Sequence, residues 1–222
     1  MTITCPDLTA PKVYHPQYDS RLLVQTMQRT VAVAGRRVLD LCTGSGYVAI
    51  AAAEMGCASA TAFDICPHAV RSSRTNAVGA GVNIDVRHGP WTDAFACAPF
   101  DVVVSNPPYV PTPVDNDTED IGPSTAWNAG LDGRLVLDPL CELASSLLCD
   151  KGSLLLVQSE FAGVDRTLDT LRSTGLKAEV VSSQRIPFGP VLSARSQWLE
   201  DIGLIPLGCR EEEIVVVRAD KR

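Results

Sequence analysis

Val38-Leu39-Asp40-Leu41-Cys42-Thr43-Gly44-Ser45-Gly46 is the stretch that decides the fold, because it runs from an apolar segment into a glycine-rich turn. The alanine-rich residues 47–55 that follow predict a helix whose N-terminus faces this turn. Gly44 and Gly46 have no Cβ, so the backbone of the turn can pass close to a ligand. A strand, a glycine-rich turn and a helix in this order are typical of the first unit of a Rossmann-like α/β fold.

A second predicted strand, residues 58–64, ends on the carboxylate of Asp64. Asp64 follows Asp40 by 64 − 40 = 24 residues. This is about the spacing, roughly 20 residues, at which a Rossmann-type unit places an acid that binds ribose hydroxyls. The pattern therefore indicates a nucleoside-containing ligand.

Asn106-Pro107-Pro108-Tyr109 follow an apolar run, residues 100–105, that predicts a buried parallel strand. Two prolines cannot continue a ladder, but they fix two φ angles and leave their carbonyls without a local N–H. Such acceptors, beside the asparagine oxygen, suit a substrate NH2 whose two hydrogens must be held. Tyr109 offers a flat face for a planar amide or base. The alternative is a proline-rich turn without a ligand.

The order of these three motifs resembles that of class I S-adenosylmethionine-dependent methyltransferases. Asn-Pro-Pro-Tyr resembles the branch of these enzymes that methylates amino or amide nitrogens. Two flanking segments, Val13–Ser20 and Gly122–Arg134 with Asp138, resemble the HemK family. Within that family they are most similar to the short HemK2/MTQ2-type protein-glutamine N5-methyltransferases. The resemblance covers roughly residues 13–185.

The resemblance implies S-adenosylmethionine as the cofactor and direct methyl transfer to a nitrogen that Asn106, Pro107, Pro108 and Tyr109 hold. It assigns Ser20 to the methionine end of the cofactor and Asp40 to its amino group. Asp64 would hold the ribose hydroxyls. The cofactor-binding set that we expect is Ser20, Asp40, Cys42, Gly44, Gly46, Asp64, Pro90, Trp91 and Asn106, with Gly44 and Gly46 as the floor.

Two positions depart from the family pattern. Cys42 stands where the loop of the family usually begins with glycine, which suggests a slightly different backbone or a side-chain contact with the cofactor. Pro90 stands where many relatives have an aspartate that reads the adenine amino group. We therefore expect backbone groups and stacking on Trp91 or Ile65 to hold the adenine, with weaker cofactor affinity.

Short apolar strands that alternate with helices predict an α/β fold with a mostly parallel, seven-stranded sheet and helices on both faces. The family pattern adds a C-terminal antiparallel hairpin. We expect one methyltransferase domain over residues 1–222. Its parts are an entry segment (1–36), a cofactor and catalytic core (37–185), an insertion (186–212), and a last strand with its tail (213–222).

The insertion is long enough to have a role of its own. A helix over residues 191–202 would cover the sheet edge or, less favoured, form a substrate lid that carries Arg185 and Arg195. The segment from Val110 to Arg134 is the better lid candidate because it follows Asn-Pro-Pro-Tyr directly. Trp127 in this segment would wall the acceptor pocket or anchor the segment to the core.

Composition narrows the class of protein. The 222 residues, 45% of them hydrophobic, can bury one large core. The formal net charge of −7 provides no positive field for nucleic acid. No long apolar stretch or signal-peptide pattern is present, which predicts a cytoplasmic protein without membrane contact. The eight cysteines and three histidines lack metal-ligand spacing, so we expect no metal site.

The favoured function is methylation of a protein glutamine, with the Gly-Gly-Gln loop of a peptide-chain release factor as acceptor. Amino-methylation of a nucleic-acid base, at adenine N6 or guanine N2, is the alternative, and small-molecule N-methylation is a further one. A degenerate fold that serves as an assembly subunit would have no need of Asn106–Tyr109. A small activating partner protein, as some relatives require, stays open.

Overall fold

The computed structural model describes residues 17–113 and 126–222. Part of the predicted entry segment (residues 1–16, with Cys5 and His15) and part of the segment after Asn-Pro-Pro-Tyr (114–125) lie outside the described residues. The elements are α1 (Tyr18–Thr30), β1 (Arg37–Leu41), α2 (Tyr47–Glu54), β2 (Ser59–Asp64), α3 (Pro67–Ala80), β3 (Asp85–His88), β4 (Phe100–Ser105), α4 (Leu137–Leu147), β5 (Leu148–Ser159), α5 (Val164–Ser173), β6 (Lys177–Pro187), α6 (Pro190–Asp201) and β7 (Glu211–Asp220).

The seven strands form one sheet in the order β3-β2-β1-β4-β5-β7-β6. The first five strands pair in parallel, whereas β7 lies antiparallel between β5 and β6. This confirms the predicted sheet and its C-terminal antiparallel strands. β1 has β2 on one side and β4 on the other, so the chain reverses its direction of growth between β1 and β4. In open α/β sheets the ligand crevice lies at this point, outside the carboxyl ends of the strands.

Helices cover both faces of the sheet. On one face, α1 and α2 pack on residues such as Val38, Val104 and Val216. On the other face, α4 and α5 pack on Leu39, Leu156 and other strand residues. Two apolar cores thus hold the sheet rigid beneath the crevice. None of the helices in the described part of the chain has the length and apolar character needed to span a bilayer.

The insertion is two residues shorter at each end than predicted, and it contains the predicted helix, as α6 (Pro190–Asp201). The β6–β7 ladder extends to the pair Pro187 and Glu211, so only residues 188–210 lie outside the hairpin. Helix α6 packs in a small apolar cluster with Val110 and Phe161, near the carboxyl ends of the strands. The prediction that this helix covers the sheet edge is therefore wrong, because its apolar side chains find partners beside the crevice. That residues 1–222 form a single domain stays a prediction.

Arg134 fastens the end of the segment after Asn-Pro-Pro-Tyr to the helical layer. Its side chain is only 3% exposed, and its Nε donates to Asp138 Oδ1 over 2.7 Å. Its Nη1 donates to the Gly163 carbonyl at 3.0 Å and to Thr167 Oγ1 at 3.1 Å. A buried guanidinium with several acceptors is a strong anchor, because leaving any of them unpaired would be costly.

Gly133, the residue before this anchor, lies against the Asn-Pro-Pro-Tyr motif. It has a left-handed φ of +74°, and a Cβ on it would lie 2.4 Å from the backbone oxygen of Tyr109. Gly130 has a similar φ of +76°, but a Cβ there would meet only the Cβ of Leu135, at 3.7 Å. Only a residue without a side chain allows the chain to pass Tyr109 at this distance.

Gly133→Ala should therefore destabilise the protein more than Gly130→Ala does. Both substitutions place an alanine at a positive φ, so the excess, about 1–3 kcal/mol, measures the clash with Tyr109. The measurement is the free energy of unfolding in urea for both variants. Equal losses would mean that the backbone at Gly133 moves away without cost.

Candidate active site

A cavity of about 780 Å³ opens at the carboxyl ends of β1 and β4. Residues from the glycine-rich turn, the β2 end, the 3₁₀ helix Trp91–Cys97, the Asn-Pro-Pro-Tyr motif and the insertion contribute to its wall. Eleven predicted site residues line it: Ser20, Asp40, Cys42, Gly44, Asp64, Pro90, Trp91, Asn106, Pro107, Pro108 and Tyr109. Trp127 lines it as well, as expected for a wall of the acceptor pocket.

Gly46 is the exception among the predicted floor residues, because it does not line the cavity. It is the N-cap of α2, with a φ of 83°. A Cβ on Gly46 would lie 2.3 Å from Ser73 Oγ, on helix α3. Gly46 thus permits the close approach of α2 and α3, one layer behind the floor.

Asp64 ties the end of β2 to the glycine-rich turn. Its Oδ2 accepts a hydrogen bond from the Gly44 N–H, and its Oδ1 accepts one from the Cys66 N–H, both at 2.8 Å. Burial raises the pKa of the Asp64 carboxyl, while these two N–H groups lower it. Each carboxylate oxygen keeps a further acceptor site for a ligand hydroxyl.

Asp40 is a deeply buried carboxyl at the end of β1, 2% exposed. It accepts hydrogen bonds from Thr43 Oγ1 at 2.6 Å and from the Ala49 N–H at 3.1 Å. Burial nevertheless raises its pKa to about 7, and the nearby Asp64 adds to the rise. A cationic group in the cavity would stabilise the ionised form of Asp40.

Cys42 takes a φ of 59°, the left-handed region that glycine adopts without strain. The thiol lines the cavity, and burial raises its pKa far above the usual range. The cysteine therefore keeps a glycine-like backbone and presents a neutral side chain to the ligand. A contact between the Cys42 side chain and the cofactor stays a prediction.

Trp91 and Ile65 lie in the cavity wall beside Pro90. The Trp91 ring is held by Phe95, with 6.1 Å between the ring centroids and an angle of 57° between the planes. Ile65 is about half exposed, at 48%. Two apolar surfaces in the wall fit a planar ring held by contact.

The Asn-Pro-Pro-Tyr motif is linked to helix α1. Asn106 Nδ2 donates to Ser20 Oγ over 3.1 Å, which leaves the Asn106 Oδ1 as the atom suited to an incoming N–H. Tyr109 OH donates to Asp19 Oδ2, also over 3.1 Å. The predicted methionine-end residue and the predicted catalytic asparagine are thus direct neighbours in the folded protein.

Two lining carboxyls were not anticipated from the sequence. Asp19 is 3% exposed and accepts the tyrosine hydrogen bond, although it sits beside the predicted Ser20. Glu212 is 5% exposed, and its Oε2 has no hydrogen-bond partner among the described residues. Burial raises the Glu212 pKa to about 7, and Asp19 and Glu160 add to the rise. A run of three glutamates, 211–213, gave no signal that the middle one points inward.

Carboxyl, imidazole and thiol groups are also the usual ligands of metal ions in proteins. Within residues 17–113 and 126–222, no three His, Cys, Asp or Glu side chains come together as metal ligands. The carboxyls of Asp19, Asp40 and Asp64 accept hydrogen bonds from backbone N–H and hydroxyl groups.

Comparison of this sequence with those of known proteins identifies its family. Residues 14–119 match the model of the methyltransferase small domain. A Methanocaldococcus jannaschii protein described as "Putative protein N5-glutamine methyltransferase" is 33% identical over 180 residues, which cover 80% of this chain and 88% of that protein. The chain belongs to the protein N5-glutamine methyltransferase family. It is an S-adenosylmethionine-dependent methyltransferase.

Further relatives of this methyltransferase are longer. The "Release factor glutamine methyltransferase" of Deinococcus radiodurans is 35% identical over 164 residues, covering 72% of this chain but 58% of that enzyme. Among solved structures, E. cuniculi Mtq2 in complex with Trm112 superposes with a TM-score of 0.64 and 22% identity, over 95% of this chain and 99% of that chain. T. thermophilus RsmC, bound to AdoMet and guanosine, gives a TM-score of 0.59 and 20% identity, over 97% of this chain and 45% of that chain. At these identities the structures share the fold.

The residues of the cavity fit S-adenosylmethionine. Gly44 would have nothing within 4 Å of a Cβ, so the backbone of the turn is open to a ligand. Asp64 retains acceptor sites for two ribose hydroxyls, and Asp40 offers a carboxylate to an ammonium group. The sulfonium and ammonium charges of the cofactor would also compensate buried carboxyls that are otherwise unfavourable when ionised.

Asp64→Asn should weaken S-adenosylmethionine binding by about 1.5–3 kcal/mol, because it removes a charge-assisted hydrogen bond and places an NH2 against an N–H donor. Isothermal titration calorimetry gives the affinity. Asp85→Asn is the matched control, since Asp85 is an exposed strand residue paired with Arg87. Unchanged affinity in Asp64→Asn would remove Asp64 from the cofactor site.

The raised pKa values of Asp40 and Glu212 predict how the stability of the cofactor-free enzyme depends on pH. The folded state binds more protons than the unfolded state between the ordinary carboxyl range and about pH 7. The free energy of unfolding should therefore fall as pH rises from 5 to 8.

Glu212→Gln removes one of these carboxyls, so its fall between pH 5 and pH 8 should be smaller than that of the parent by about 1–3 kcal/mol. Urea unfolding at both pH values measures the difference. Glu179→Gln, at an exposed position of β6, should follow the parent. Parallel curves for all three proteins would show that Glu212 does not titrate on unfolding.

Proposed function

We propose that this methyltransferase methylates the side-chain amide of a glutamine in a protein, with a peptide-chain release factor as the favoured acceptor. The observation that carries the proposal is the position of Asn106–Tyr109. These residues end β4 and share one cavity with Asp40 and Asp64. The acceptor and cofactor residues therefore face the same space.

The chain contributes alignment of the nucleophile. The amide NH2 of the acceptor would donate its two hydrogens to Asn106 Oδ1 and to the Pro107 carbonyl, which turns the nitrogen lone pair toward the cofactor side. S-adenosylmethionine supplies an electrophilic methyl group on its sulfonium. When Asn106 Oδ1 and the Pro107 carbonyl accept hydrogen bonds from both N–H groups, electron density shifts toward the amide nitrogen. This nitrogen is otherwise weakly nucleophilic. The proton leaves after the transfer, when the methylated nitrogen is acidic, so no strong base is required beforehand.

The charge of the cavity favours a protein acceptor. The described residues that line the cavity include four with carboxyl groups, Asp19, Asp40, Asp64 and Glu212. No Lys, Arg or His is among these described lining residues. A polyanion such as RNA or DNA gains its affinity from cations, which this wall lacks. Tyr18 and Leu135, which are 50% and 66% exposed, add apolar surface at the cavity. Such surface suits a peptide loop.

The names of the relatives agree with this acceptor. The archaeal relative is described as a protein N5-glutamine methyltransferase, and the D. radiodurans relative as a release factor enzyme. The HemK2/MTQ2-type assignment belongs to the same proposal, supported by the likeness to Mtq2. That structure contains Trm112. The proposal therefore includes a small partner protein that activates the enzyme. A cytoplasmic location would follow from a release factor substrate.

The test is transfer of labelled methyl from S-adenosylmethionine to a purified release factor. Parent enzyme should label the glutamine of its Gly-Gly-Gln loop, and replacing that glutamine should abolish the label. Asn106→Ala should bind the cofactor within a few fold of the parent but turn over about 100-fold more slowly, because it loses a preorganised acceptor contact. Asp101→Asn, whose carboxylate meets Arg36 and the Arg37 N–H at the other end of the strand, is the control.

Total RNA and genomic DNA should be offered at the same salt concentration as the release factor, because ionic strength alone changes nucleic-acid affinity by orders of magnitude. Each reaction should be repeated with candidate partner proteins. Label in nucleic acid and none in the release factor, with or without partners, would replace glutamine methylation by base methylation. Equal loss of cofactor binding and turnover in Asn106→Ala would assign that residue to the cofactor.

A further inference from the structure

Two segments that are distant in the chain form the acceptor side of the cavity. One contains the catalytic motif and residues 126–128, and the other is the start of the insertion, residues 187–192. The first segment is described in two parts, and their ends, residues 110–112 and 127–130, are joined by hydrogen bonds. How these ends are held decides where Tyr109 and Trp127 stand.

The two ends hold each other through a short ladder. The Val110 N–H donates to the Trp127 carbonyl at 3.0 Å, and the Ala129 N–H donates to the Val110 carbonyl at 3.1 Å. The Thr112 N–H adds a bond of 2.8 Å to the Gly130 carbonyl. An isolated pair of short segments has little stability by itself, so this ladder needs support from a neighbour.

Helix α6 provides that support through one side chain. Arg195 Nη1 donates to the Pro111 carbonyl at 2.8 Å and to Thr112 Oγ1 at 3.0 Å. Its Nη2 donates to Asn128 Oδ1 at 2.5 Å. The same guanidinium therefore grips both sides of the ladder. A planar fork with fixed donors matches three acceptors in this way, whereas a lysine ammonium would not hold them in one geometry.

The helix that carries Arg195 is itself fixed beside the cavity. Leu192 and Leu199 are buried in the apolar cluster that includes Val110, the residue directly after the catalytic motif. The insertion therefore touches the acceptor segment twice, through an apolar contact and through the guanidinium. Arg185, the other arginine considered for this region, pairs with Glu160 at 3.5 Å and takes no part in the ladder.

We infer that Arg195 is a positioning residue for the methyl acceptor, which acts by holding the Val110–Trp127 ladder and with it the acceptor wall. The inference rests on the proposed function in one respect, namely that the acceptor enters beside Tyr109 and Trp127. Within residues 17–113 and 126–222, the hydrogen bonds that Arg195 donates go to Pro111, Thr112 and Asn128, all in the acceptor segment. Loss of Arg195 should therefore separate acceptor use from cofactor binding.

The test compares Arg195→Ala and Arg195→Lys with the parent. In Arg195→Ala, kcat/KM for the protein acceptor should fall by about 10-fold or more, because a small displacement of reacting groups has a large effect on rate. The Kd for S-adenosylmethionine should stay within about 3-fold of the parent value, since binding on the other side is untouched. Arg195→Lys should have a kcat/KM between that of the parent and that of Arg195→Ala. If Arg195→Ala does not fold, Arg195→Gln takes its place.

Hydrogen exchange supplies a readout that does not depend on the acceptor. Peptides that contain the Val110, Thr112 and Ala129 amides should exchange faster in Arg195→Ala than in the parent. Arg210→Ala is the matched control, because Arg210 pairs with Glu200 at 2.6 Å within the insertion but does not contact the ladder. It should resemble the parent in rate and in exchange.

Equal losses of kcat/KM and equal exchange in Arg210→Ala and Arg195→Ala would overturn the inference, because Arg195 would then act only through the stability of the insertion. A kcat/KM unchanged in Arg195→Ala would also overturn it. If the parent methylates none of the acceptors, the proposed function fails, and exchange alone decides. Unchanged exchange of the ladder amides in Arg195→Ala would then refute the positioning role, and faster exchange would support it.

Discussion

The parallel pairing of β1 with β4 is the constraint on which the site depends. Leu41 lies opposite Ser105, and the Ser105 hydroxyl, which is fully buried, donates to the Leu41 carbonyl at 2.9 Å. This register makes the two strands end side by side. The glycine-rich turn and Asn106 then leave the sheet at the same level, so both face one crevice.

A second feature of the cavity is the concentration of carboxyls in a poorly solvated space. Asp40 and Asp64 end neighbouring strands, while Asp19 and Glu212 approach from α1 and β7. Burying ionised carboxyls is unfavourable, which is why the pKa of Asp40 and that of Glu212 rise to about 7. A cationic ligand is the natural complement of such a wall, and an anionic polymer is not.

The insertion shows how a peripheral element can shape an active site. Residues 187–192 form part of the cavity wall, and α6 packs on Val110. The insertion therefore lies at the crevice rather than at the edge of the sheet. The rigid sheet provides a fixed frame for the cofactor residues. The acceptor side, by contrast, is built from segments joined by a few side-chain contacts. Differences in acceptor choice within one fold can arise in such segments without a change in the frame.

Local signals were enough to predict the parallel strands and the motifs that follow them, whereas the C-terminal antiparallel pairing came from the resemblance to a known family. Apolar runs bounded by glycine and proline marked β1, β2 and β4, and the residue types at their ends placed Asp40, Asp64 and Asn106 in one site. Glu212 and Asp19 gave no such signal, and Arg195 was considered only as part of a lid, because their roles depend on partners far away in the chain. Gly46 was assigned to the floor for the same reason, since only the packing of α2 on α3 shows what it accommodates. Sequence periodicity records which side of an element is buried, but only the tertiary structure decides what each buried group meets.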